Sequence, residues 1–179
     1  MTVHPVRMSD RCAHVVVVLA GLVTCLCVAG ALGIRLNLTS SIPPGVYRVI
    51  GKPKTLRRGD IVLACLPRDV GTLAHARGYV PRGGSCQGQL APVGKFVMAL
   101  PGDTVVVAPW GMSVNGQAVP HSGQLDRDRS GRQLPRVPNG LSIVSPHFVW
   151  LVGASERSFD SRYFGPVRAA NVLARIRRF

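Results

Sequence analysis

The chain has 179 residues, with 22 lysines and arginines against 8 acidic residues, for a formal charge of +14. That length holds one ordinary domain. Hydrophobic residues make up 46% and charged ones only 17%, which excludes a disordered polar or acidic chain. Glycine (20) and proline (14) are plentiful while aromatics are 6%, a balance that disfavours a helical bundle and favours short strands joined by turns.

The apolar excess is concentrated near the N-terminus, where Val15 to Ile34 carries no charged residue. At about 1.5 Å per residue such a run crosses a hydrocarbon core of about 30 Å. A cleavable secretory signal is the competing reading, but its apolar core is about 7 to 15 residues, shorter than this run. The segment therefore reads as a membrane anchor. Arg7 and Arg11 precede it and Arg35 follows, so the positive-inside rule places residues 1–14 in the cytoplasm, residues 15–35 in the bilayer and residues 36–179 on the exported side. The expected topology is a single crossing, with the domain on the exported side.

That topology sorts the cysteines. Cys12 lies before the run, and Cys25 and Cys27 lie within it as small apolar filler. Only Cys65 and Cys86 reach the exported side, where a disulfide is permitted. His4, His14, His75, His121 and His147 are scattered without a ligand spacing, so neither a metal nor another cofactor is expected.

Beyond the anchor, Leu36 to Tyr47 is a polar, proline-bearing bend that cannot continue a helix. Val46–Ile50 and Ile61–Leu66 are β-type runs. Asp69 to Gly84 is less regular, with a helical turn near Thr72 to Arg77, and reads as an insertion. Lys95 to Leu100 alternates, with Lys95, Val97 and Ala99 on one face and Phe96, Met98 and Leu100 on the other. Pro101-Gly102-Asp103 turns the chain into Thr104–Ala108. Ser113–Val119 carries Asn115-Gly116, the strongest two-residue hairpin signal. Leu125 to Gly140 reads as a surface loop, before strands at Phe148–Val152 and Val172–Ile176. The expected fold is mainly β, a partly open barrel or sandwich behind one N-terminal transmembrane helix.

The positive charge raises nucleic acid as a partner, but the basic residues come singly or in short groups, without a basic helix, a zinc frame or stacking aromatics. A surface beside anionic lipid fits them better. Catalytic options are narrow. No histidine lies in the polar turn segments Thr39–Tyr47, Lys95–Asp103 or Gly153–Gly165, which disfavours a Ser-His-Asp triad. A serine activated by a lysine remains, and it requires the lysine to shed its proton near neutral pH. Lys95 has neighbours for that, because Val97 and Ala99 share its face and an inward side chain would be stripped of water.

Three segments together resemble the type I signal peptidases, and among them the TraF-type conjugative transfer peptidases. Asn37, Thr39, Ser41, Pro43, Gly45 and Tyr47 match the nucleophile segment of that family. Lys95 precedes Pro101, Gly102 and Asp103 as the family's lysine does, and Ser158, Asp160, Ser161, Arg162, Tyr163 and Gly165 match its third box. The stretch Gly153 to Ser158 is one residue shorter than in the general signal peptidases, which bears on the local turn.

The resemblance implies Ser41 as nucleophile and Lys95 as base, with the Thr39 hydroxyl in the oxyanion hole and Ser158 orienting the lysine. Asp160 and Arg162 read as a structural ion pair. Ser40 is chemically equal to Ser41, and only the motif chooses between them. The implied substrate is a membrane-tethered precursor, the conjugative pilin subunit, released as a linear or a cyclised product, with the conjugative secretion machinery as partner. The alternative is a general signal peptidase acting on many secreted preproteins.

Overall fold

The computed structural model describes residues 10–179; residues 1–9, with Arg7 and most of the segment read as cytoplasmic, lie outside the described residues. Helix α1 spans Asp10–Ala31. Within it Cys12–Ala31 has a mean hydropathy of 2.5, and its most apolar window is not buried in the protein, so by length and composition it can cross a membrane. The helix ends three residues before the apolar run does. Leu32 and Gly33 form a turn and Ile34 already belongs to a strand, because hydropathy alone does not separate an apolar helix end from an apolar strand start.

Strands and helices follow in order: β1 Ile34–Asn37, β2 Gly45–Gly51, β3 Ile61–Ala64, α2 Arg68–Ala76, β4 Arg82–Cys86, β5 Val93–Ala99, β6 Thr104–Ala108, β7 Gly111–Val114 and β8 Gln117–Val119. They continue with β9 Gly140–Ile143, β10 Phe148–Val152, α3 Ser161–Phe164, β11 Val167–Arg168 and β12 Val172–Arg178. A seven-stranded sheet has the order β1-β2-β12-β3-β5-β10-β11, and a four-stranded sheet the order β8-β7-β6-β9. Every pairing within them is antiparallel. β1 and β11 stand at opposite ends of the large sheet, so the arrangement is an open one.

The two sheets share a core. Ala99, Trp150 and Val152 from the large sheet pack with Val105, Val107, Met112 and Val114 from the small one. A second cluster, Val62, Ala64, Val97, Val149, Leu151, Val167 and Val172, fills the middle of the large sheet. Strand β5 belongs to both, with Lys95, Val97 and Ala99 buried in alternation, as its period of two requires.

Turn chemistry sets the connections. Asn115 and Gly116 have φ of 50° and 80°, the pair of left-handed residues that a two-residue hairpin between β7 and β8 needs. Between β5 and β6, Gly102 has φ 85°, and Asp103 N–H closes the turn on Leu100 O at 3.0 Å. The Asp103 carboxylate then accepts from Leu100 N–H at 2.8 Å, Asn115 Nδ2 at 3.0 Å and Arg58 Nε at 2.7 Å. These bonds, led by the one from Arg58, hold its carboxyl well below the usual carboxylate range.

Two expectations change, and one point the sequence leaves open is decided. The region after the anchor is not all bend, since β1 pairs with β2 through Leu36 opposite Val46. The helical turn near Thr72–Arg77 is a full helix, α2, that buries Ala74. A disulfide joins Cys65 to Cys86 and closes the segment holding α2 and β4. On the outer face of the large sheet, Leu36, Val46 and Phe179 are all exposed, and Phe179 N–H bonds Val46 O at 3.1 Å. An apolar row thus crosses the first strands after α1.

Candidate active site

Ser41 lies in the loop between β1 and β2, whose shape is set by two flanking side chains. Asn37 Nδ2 donates to Thr39 O at 2.9 Å, Ile42 O at 3.0 Å and Pro43 O at 3.3 Å, while its Oδ1 accepts from Thr39 N–H. Tyr47, buried from β2, donates its hydroxyl to Pro43 O at 2.6 Å. Ile42 is 2% exposed and anchors the loop in the core with Tyr47 and Ile176. Ala154 N–H donates to Ser41 O at 2.8 Å. The loop is therefore fastened on both sides of the serine. Gly45, with φ 148°, lets Arg178 pass close by; a Cβ there would meet its Nε at 2.9 Å.

Lys95 comes from β5 with its side chain pointing inward, 3% exposed. Its Nζ donates to Ser41 Oγ at 3.0 Å and to Ser158 Oγ, and the two hydroxyl oxygens are 3.2 Å apart. Burial lowers the lysine pKa from its ordinary value to about 8; the negative Asp160 pulls it up and the positive Arg162 pushes it further down. Desolvation dominates because an ammonium loses its hydration shell and gains only neutral hydroxyls.

The third box builds the wall behind the lysine. Asp160 caps α3, and its Oδ2 accepts from Gly153 N–H at 2.8 Å. Arg162 and Asp160 are both fully buried and bonded through Nε and Nη2 at 2.8 Å each. Arg162 also donates to His121 O, Gly123 O, Ser155 O and Ser158 O. Ser161 Oγ accepts from Leu151 N–H at 2.9 Å. The pair read as a structural salt bridge is thus the centre of a saturated buried network that fixes the Ser158 carbonyl, and such a network is stable only when its donors and acceptors are nearly all met.

The structure brings Ser41, Lys95 and Ser158 together and places Asp160, Ser161 and Arg162 around them. Pro101, Gly102 and Asp103 form the turn at the far end of β5, and Pro43 helps hold the serine loop through its carbonyl. Thr39 stands apart: it is exposed, and its hydroxyl donates to Asn37 Oδ1 at 2.7 Å. Ser40 is exposed as well. Two features escape sequence reasoning. Gly153 touches the Ser158 side chain, and Arg162 holds the carbonyls of His121 and Gly123, backbone groups that no side-chain pattern announces.

Comparison with known proteins gives four findings. Residues 9–179 match the family described as signal peptidase, peptidase S26. The chain is 38% identical to the plasmid transfer protein TraF of Escherichia coli, over 90% of this chain and 91% of that one. It is 42% identical to the probable conjugal transfer protein TraF of Sinorhizobium fredii, over 79% of this chain and 73% of that one. Among solved structures, a signal peptidase I from Enterococcus faecalis superposes with a TM-score of 0.40 at 22% identity, covering 68% of this chain and 97% of that one.

Proposed function

The chain belongs to the S26 family of signal peptidases, in its TraF-type branch, and we propose that it cuts an exported, membrane-tethered precursor with Ser41 as nucleophile and Lys95 as general base. The observation that carries this reading is a lysine, 3% exposed, whose amine lies 3.0 Å from a serine hydroxyl. With a pKa of about 8, about a tenth of the lysine is neutral at pH 7, roughly 300-fold more than for an ordinary lysine.

Each residue then has one task. Neutral Lys95 takes the Ser41 proton as Oγ attacks the scissile carbonyl, and it returns that proton to the leaving amine. In the second half it draws a proton from water, or from an incoming amine, as that group attacks the acyl-enzyme. Ser158 receives a hydrogen bond from the lysine and fixes its position. The Ser41 N–H, which no protein acceptor engages among the described residues, supplies one oxyanion donor. Thr39 supplies the second by turning its hydroxyl from Asn37 to the oxyanion, a contact worth about 3 to 4 kcal/mol in comparable sites.

The substrate proposed is the conjugative pilin subunit, in keeping with relatives named for plasmid and conjugal transfer. The protein sits in the inner membrane with its N-terminus in the cytoplasm and the β-domain in the periplasm. Arg7 and Arg11 ahead of the apolar run support that orientation, as does the disulfide between Cys65 and Cys86, a bond at home in an oxidising compartment. The exposed row Leu36, Val46 and Phe179 suits a sheet lying against lipid.

The test uses the full-length protein in lipid with a pilin precursor, comparing wild type, Ser41→Ala and Lys95→Ala by mass spectrometry. Both variants are expected to leave the precursor intact; cleavage that survives both overturns the dyad. A product lighter by one water than the cleaved peptide marks ring closure in place of hydrolysis.

A further inference from the structure

The segment closed by the Cys65–Cys86 disulfide contributes no group to the cluster of Ser41, Lys95 and Ser158, yet one of its side chains reaches that cluster at one remove. Tyr79 follows α2, with its N–H on Ala74 O at 2.8 Å. Its ring packs on Phe159 with centroids 5.1 Å apart at 51°. Phe159 in turn stacks on Tyr163 at 5.9 Å and meets Phe164 edge-on at 5.3 Å. Phe159 is the residue between Ser158, which holds the lysine, and Asp160, which holds Arg162.

The other end of Tyr79 is also fixed. Its hydroxyl donates to Asp128, a carboxylate that accepts from Arg132 Nε at 2.7 Å and from the N–H groups of Ser130 and Arg132 at 2.9 Å each. Arg132 lies 5.6 Å over the Tyr79 ring and donates to Arg77 O at 2.9 Å. Arg77 reaches back to Gln133 O at 2.8 Å. Tyr79 is therefore clamped between the disulfide-closed segment, the loop around Asp128 and the residue adjoining Ser158.

The consequence for the chemistry is geometric. Ser158 is joined to Phe159 by a rigid peptide unit, and a displacement of about 1 Å at a positioning group costs as much as 100-fold in rate. Aromatic pairs of this geometry contribute about 0.5 to 1.5 kcal/mol beyond area burial, enough to bias where that peptide rests. We propose that Tyr79 is a positioning residue of the peptidase, which by packing on Phe159 keeps the Ser158 hydroxyl on Lys95, and that the Cys65–Cys86 disulfide holds Tyr79 in place. The proposal rests on the reading of Ser41 and Lys95 as the reacting pair.

The sequence offers a readout independent of substrate, since the only other lysines are Lys52 and Lys54. In full-length protein in lipid nanodiscs carrying ¹³C-labelled lysine, the Lys95 side-chain signal is assigned by Lys95→Met and titrated beside steady-state cleavage of a fluorogenic peptide with an Ala-x-Ala site. Tyr79→Ala is expected to lower kcat about tenfold or more with KM little changed, and to move the Lys95 titration upward as water enters. Tyr79→Phe, which keeps the ring, recovers most of the kcat lost in Tyr79→Ala. Joint Cys65→Ser and Cys86→Ser replacement reproduces the titration shift. If Tyr79→Ala does not fold, Phe159→Leu gives the same reading with apolar bulk retained. An unmoved Lys95 titration with kcat within about twofold of wild type, in a folded Tyr79→Ala or in Phe159→Leu, overturns the proposal. Failure of the dyad itself looks different: Lys95 in the wild type then titrates near the ordinary value of a hydrated lysine, and Lys95→Met still cleaves.

Discussion

A methyl group built on Gly153 would stand 2.1 Å from Ser158 Oγ and 2.4 Å from Ser158 Cβ. Contacts so short cannot be absorbed in place, and Ser158 is held from behind by Arg162 on its carbonyl. Gly153→Ala is therefore expected to push the Ser158 hydroxyl off Lys95 and to lower kcat by about 100-fold. The hydrogen bond from residue 153 N–H to Asp160 does not depend on the side chain, so the variant should still fold. Cleavage rate and thermal unfolding, measured side by side, check both halves; a folded variant with nearly normal kcat would refute the steric account.

The pH dependence has a definite sign. In the proposed dyad Lys95 serves as a base in its neutral form, and its pKa is about 8. The cleavage rate should rise tenfold per pH unit below that value and level off above it. Lys95→Arg should be inactive throughout, because a guanidinium keeps its proton at every accessible pH. A pH–rate profile of the single-turnover reaction measures both.

The same residue weakens the fold. Its pKa falls from 10.5 unfolded to about 8 folded, so between those values the unfolded chain binds more protons and stability rises with pH. Below about pH 8 the full cost is present, roughly 3 kcal/mol for a shift of this size; it fades as pH climbs toward 10.5. Lys95→Met should thus raise stability at neutral pH, with the gain disappearing in alkali, while abolishing cleavage. Denaturant unfolding at pH 7 and pH 10.5 gives the comparison, and a destabilised variant at pH 7 would contradict it.

How much of this could be read beforehand differs by interaction type. The inward face of β5 was legible because an alternating strand with one buried side puts Lys95 beside Val97 and Ala99, and the β7–β8 hairpin was legible because Asn115-Gly116 tolerates positive φ. The serine, the lysine and the third box came through the resemblance of their motifs, which ordered chemistry across long stretches of chain. Strands β1 and β9 were not legible, since Ile34 closes the apolar run, Leu36 and Asn37 open a polar, proline-bearing segment, and every residue of Gly140–Ile143 is exposed. Nor were the partners of Arg162 outside its own box: carbonyls carry no residue code, so only folding reveals that His121 and Gly123 are its acceptors.

Arg162→Lys tests that last network. An ammonium can satisfy only part of what the guanidinium bonds through Nε, Nη1 and Nη2, and it leaves Asp160 buried and poorly paired. Breaking a buried pair costs about 3 to 5 kcal/mol. The variant should unfold at markedly lower denaturant and lose cleavage with it, whereas a shift in midpoint near zero would show the network to be dispensable.

The link between α1 and β1 is only Leu32 and Gly33, and it is stitched rather than slack. Gly33 N–H returns to Gly30 O at 3.1 Å, Val49 N–H reaches Gly33 O at 2.9 Å, and Arg35 Nη1 clasps Gly30 O at 3.1 Å. On the proposed reading, with the helix seated in lipid, such a joint would act as a depth gauge: it would fix the elevation of Ser41 above the bilayer, so that the height of a precursor's cut site would matter as well as the side chains around it.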